Sequence, residues 1–140
     1  MAGREDPREL ESSRVPFQYA LVRVVPHVER GESINAGVVL FCRARRFLAA
    51  RTDLDERALA AIAADCDPAE VRAPLAGVAA VAAGDVGAGG AVAALPQSER
   101  FHWLTAPAST VVQPSPVHTG LTGDPARELD RLFAALVSRP

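Results

Sequence analysis

The sequence predicts an α+β fold: a small antiparallel sheet covered by helices, with a C-terminal helix packed on the sheet. Three observations carry that expectation. Residues 19–25 and 33–42 are two runs that contain Val pairs and are apolar on both faces, as strands inside a sheet are. Two later stretches place apolar residues at helical spacing behind helix-start residues. A chain of 140 residues, 49% hydrophobic and 23% charged, suits one domain with a real core.

Residues 1–15 are polar, of mixed charge and without periodicity. They read as a disordered leader, and residues 16–140 as a single domain. The first strand is Tyr-Ala-Leu-Val-Arg-Val-Val at 19–25. Arg23 interrupts it, and a charge there needs a partner or an edge. Pro26 ends it, because proline lacks the donor a ladder needs. A polar loop leads to Ser-Ile-Asn-Ala-Gly-Val-Val-Leu-Phe-Cys at 33–42, the strand around which the chain is organised. Asn35 and Gly37 sit where a bulge or a close backbone approach would use a missing Cβ. The two strands pair most easily as an antiparallel hairpin. Arg43, Arg45 and Arg46 mark a turn, and residues 47–50 return as a third, shorter strand.

Helical signals follow. Asp53 and Glu56 have capping-box spacing, and Leu59, Ile62, Ala63 and Cys66 continue at i, i+3, i+4 and i+7. Asp67 and Pro68 start another helical turn, which Pro74 breaks before the stripe of Leu75, Val78 and Val81. Residues 84–90 read as a flexible linker, since their glycines do not fit G-x-G-x-x-G. Residues 98–105 form a short helix with Phe101 and Leu104 on one face. Residues 109–113 are a short β-type segment, and 114–123 are too rich in Pro, Ser, Thr and Gly for regular structure. Asp124 caps the last helix, Pro125 takes its first position, and Leu129, Leu132, Phe133, Leu136 and Val137 follow at helical spacing.

Composition closes several mechanisms. A net charge of −2 argues against a nonspecific nucleic-acid or anionic-membrane binder. All 15 basic residues are Arg, so the chain has neither a Schiff-base lysine nor a Walker A lysine. Cys42 and Cys66, the two cysteines, read as small buried hydrophobes and form neither a metal knuckle nor a disulfide framework. The first residues show no apolar signal region, and 75–95 are mostly Ala and Gly, too weakly hydrophobic for a membrane span. A cytoplasmic location is the expectation, with no cofactor and no bound metal.

Three longer motifs stand out. They are Tyr-Ala-Leu-Val-Arg-Val-Val-Pro at 19–26, Gly-Glu-Ser-Ile-Asn-Ala-Gly-Val-Val-Leu-Phe at 31–41, and Arg-Phe-His-Trp-Leu-Thr-Ala-Pro at 100–107 running on to Gln-Pro-Ser-Pro-Val-His-Thr-Gly at 113–120. With these motifs the chain resembles the bacterial DUF3037 family, a domain of unknown function, over about residues 17–138. The resemblance implies a small stand-alone bacterial protein and a partner role beside a HipA-like kinase domain. It supplies no catalytic residue to carry over.

The polar residues nearest these motifs are Arg23, Glu32, Asn35, Arg100 and His118. One reading makes them a binding site at one end of the sheet, with Arg23 and Arg100 holding a phosphate or carboxylate. The other pairs them internally, Arg23 or Arg100 with Glu32, and Asn35 with turn backbone. His118 lies in a Pro-rich loop where it could act as a base for Ser109, Ser115 or Thr119. The histidines at 27, 102 and 118 show no metal-ligand spacing. Trp103 reads as a core or interface anchor. The function these patterns suggest is a non-enzymatic accessory or protein-interaction module, with a HipA-like kinase as the partner the resemblance implies. The alternative is a small enzyme on a phosphate-containing or nucleotide substrate, with His118 as base and Arg100 as anion clamp. Oligomeric state is left open.

Overall fold

The computed structural model describes residues 13–138. The leader assigned to residues 1–15 lies outside the described residues as far as residue 12, and Val15 already opens the first strand. Five strands form one antiparallel sheet: β1 (Val15–Val24), β2 (Ile34–Cys42), β3 (Phe47–Thr52), β4 (Val112–Pro114) and β5 (His118–Thr122). Their order is β3-β2-β1-β4, with β5 on the same side of β1 as β4. The helices are α1 (Glu56–Ile62), α2 (Pro68–Ala83), α3 (Val86–Gly89), α4 (Gln97–Leu104) and α5 (Pro125–Leu136), with a 3₁₀ turn at Ala91–Ala94.

The run at 33–42 is central, as its two apolar faces require. Val38, Leu40 and Cys42 pack with Leu129, Leu132, Phe133 and Val137 from the α5 segment. Val39 and Phe41 face the other way, toward Val81, Phe101 and Leu104 of α2 and α4. The Phe41 and Phe101 rings lie 5.3 Å apart. Three layers result, with α5 on one face of the sheet and α1 to α4 on the other.

The bulge expected near Asn35 is present. Val22 pairs with Gly37 and Arg23 with Asn35, so Ala36 is the extra residue. The bulge sends Ala36 to the α1–α2 face with Val22, Val24 and Ile34, and leaves Asn35 on the α5 face. Gly37 is needed here, since a Cβ would sit 2.8 Å from the carbonyl oxygen of Arg51 on β3.

Several elements differ from the sequence expectation. The cap of α1 is Asp55, which accepts from the Ala58 N–H; the Asp53 N–H is tied to Ala36 O beside the bulge. Helix α2 continues through Pro74. Proline removes one helical bond, at a cost of about 3 kcal/mol. Buried Val71, Leu75 and Val81 on both sides of it outweigh that loss. Residues 84–90 are ordered into a cap and a helical turn: Gly84 ends α2 at φ 75°, and Asp85 caps α3 by accepting from the Ala88 N–H. Residues 118–122 form a strand despite their composition, because the free edge of β1 offers them a ladder. Cys42 is fully buried, whereas Cys66 is half-buried.

Candidate functional site

The motif residues are dispersed over the molecule. Arg23 and Asn35 are register partners, so their side chains share the α5 face. Asn35 Nδ2 donates to Leu136 O at 3.0 Å and satisfies a carbonyl that the end of α5 leaves open. Glu32 pairs with Arg30 at 2.6 Å in the exposed loop between β1 and β2, not with Arg23 or Arg100. His118 is exposed on β5 opposite Tyr19, with the two rings 5.2 Å apart.

Arg100 lies on the other side of the sheet and is 9% exposed. Its Nε donates to Leu95 O at 2.9 Å, and its Nη1 donates to Val81 O at 3.0 Å and Ala82 O at 2.9 Å. The guanidinium clamps the last turn of α2, where a positive charge meets the negative end of the helix dipole. Gly84 leaves room for it, since a Cβ there would lie 3.1 Å from Nη1.

The five candidates therefore do not share one end of the sheet. The reason is the length of β1. Its ten residues pair with β4 at one end and β5 at the other, which spreads the flanking motif along the edge. Arg23 lies four steps along the strand from Tyr19, the partner of His118, or about 13 Å at roughly 3.3 Å per residue.

Ser115 fills the gap between β4 and β5. Its N–H donates to Leu21 O, its Oγ accepts from the Leu21 N–H at 2.8 Å, and its hydroxyl donates to Pro116 O at 2.9 Å. The hydroxyl weighed as a nucleophile is thus part of the sheet. The histidines are dispersed: His27 meets Asp65 at 3.2 Å, His102 is on α4 and His118 on β5. Among the described residues no group of three or more His, Cys, Asp or Glu could hold a metal ion. No helix among them is long and apolar enough to cross a membrane.

What the fold does assemble is an apolar groove of about 540 Å³ between α2, α4 and β4. Val78 and Val81 of α2, Val22 of β1 and Leu104 of α4 form its walls. Small residues at Gly77, Ala88, Gly89 and Ala106 leave the space open. None of the described residues that line it carries a titratable side chain. Thr110 spends its hydroxyl proton on Val112 O at 2.8 Å. Gln113 is the register partner of Arg23, and its Nε2 donates to Thr110 O at 2.8 Å. Trp103 also lines the groove and is 53% exposed, so it is no core residue. An exposed indole beside an apolar concavity is the usual form of an interface anchor.

The groove was not legible residue by residue, because α2 and β4 lie far apart in sequence. One signal did point to it: residues 103–117 carry no charged side chain.

The model of the family described as "Protein of unknown function (DUF3037)" matches residues 19–137. That span runs from within β1 to the end of α5. No curated protein and no solved structure matches the chain.

Proposed function

We propose that this chain, which belongs to the DUF3037 family of proteins of unknown function, is a non-enzymatic accessory module that binds a partner protein through the groove beside Trp103. The observation that carries the reading is the groove itself. It is apolar, it lacks an acid or base to do chemistry with, and a half-exposed tryptophan lies against it. The polar motif residues support the same reading from the other side. Asn35, Arg100 and Ser115 all spend their side chains on backbone groups of this chain. Arg100 and His118 lie on opposite faces of the sheet, so they lend no support to a shared catalytic centre.

The partner we favour is a HipA-like kinase domain acting in the cytoplasm, which rests on the family resemblance. Co-expression of this chain with such a kinase from the native host, followed by affinity purification, tests it. Trp103→Ala is expected to weaken the complex by about 30-fold, the effect of a 2 kcal/mol hot spot. His118→Ala, on the far face, is expected to leave it unchanged. A complex insensitive to Trp103→Ala would remove the groove from the interface.

A further inference from the structure

We infer that the group seated in the groove is a cluster of uncharged apolar side chains on a helix or loop of a partner protein, taken up without strand pairing. This rests on the binding reading above and adds the chemistry of recognition to it.

The first observation is charge. No acidic or basic residue lines the groove, and the segment 103–114, which supplies more than half of its lining, carries no charge. A charged group entering it would give up water and meet no counter-charge. The Thr110 hydroxyl proton is already engaged with Val112 O. Complementarity therefore selects a neutral, apolar occupant.

The second observation is the edge of β4, which borders the groove. Strand addition needs outward-facing N–H and C=O groups. The Val25 N–H donates to Val111 O, and the Ser115 N–H donates to Leu21 O. Residues 111, 113 and 115 thus turn their backbone groups toward β1, and Val112 and Pro114 turn theirs outward. Pro114 has no N–H, and Val112 O is taken by Thr110. Pro116 follows just beyond the strand and offers no donor either. An extended peptide finds almost no ladder here. Recognition must come from side chains inserted into the groove. Its volume, about 540 Å³, falls among sites that enclose a group, typically about 300–1,000 Å³.

The test is a ¹⁵N NMR titration of the intact chain with three capped amino acids of similar shape: N-acetyl-leucinamide, N-acetyl-asparaginamide and the N-acetyl amide of aspartate. The leucine probe is expected to shift the indole N–H of Trp103 and the amides of Gly77 and Gly89. It should bind at least tenfold more tightly than the aspartate probe, with asparagine between them. Equal binding of the aspartate probe, or leucine-probe shifts clustered away from the groove, would overturn the inference. So would protection of the Val112 amide by an extended Val-Thr tetrapeptide, which would mean strand addition. If Trp103→Ala breaks the complex while the leucine probe ignores the groove, this inference fails and the module reading stands. If the probe binds but the complex ignores Trp103→Ala, the module reading fails and takes this inference with it.

Discussion

Replacing Arg100 by Met removes three hydrogen bonds from a buried side chain while keeping most of its stem. Bonds to a charged group contribute about 1.5–3 kcal/mol each, but bonds that share one guanidinium do not add. The Ala82 and Leu95 carbonyls lose a charged donor, and the end of α2 loses a cation worth about 0.3–2 kcal/mol against its dipole. Part of this is offset, because Met no longer carries the desolvation of a buried charge. The net loss expected is about 2–4 kcal/mol, a large share of a typical stability of 5–15 kcal/mol. Urea unfolding measures it, followed by the fluorescence of Trp103, the single tryptophan, and by circular dichroism. At about 1–3 kcal/mol per molar urea, the midpoint should fall by roughly 0.7–4 M. Arg100→Lys keeps the charge but loses the forked geometry, and should fall about half as far. A midpoint within about 0.3 M of wild type for Arg100→Met would refute the helix-clamp role. Arg100 would then be open again to a role in ligand binding.

Ser115→Ala leaves the Leu21 N–H without its acceptor and should cost about 1–3 kcal/mol, read as a drop in the same unfolding midpoint. Phe41→Ala opens a cavity between β2 and α4 and should cost about 3–5 kcal/mol; an unchanged melting temperature would contradict its place in the core. Burial, and then the charges of Glu70, Asp65 and Asp67, push the Cys66 thiol above its ordinary value. Less thiolate forms at pH 8 than in a free thiol, so Cys66 should react slowly with a disulfide reagent and faster as pH rises. Glu70→Gln removes one of the causes and should speed that reaction, while Cys42 should react only after unfolding.

The fold was legible where local pattern and burial agree. Two-faced apolar runs placed β1 and β2, and Asp124 with Pro125 placed the start of α5. It was illegible where tertiary context overrides local preference. Pro74 is tolerated because buried residues of α2 stand before and after it, and β5 forms from a turn-like composition because β1 has an open edge. The polar motif residues stood out in sequence, but their partners could not be read from it. Asn35 and Arg100 bond carbonyls 101 and 18–19 residues away. The groove was hardest to foresee, since its floor comes from small residues that leave no pattern of their own.

Hydrogen exchange on the complex, read by mass spectrometry, tests the binding surface most directly. Binding through the groove should slow exchange in residues 74–81 and 103–114, and leave β5 and the N-terminal half of β1 as they were. Protection confined to 118–122 and α5 would place the partner on the opposite face and contradict the groove as the binding site.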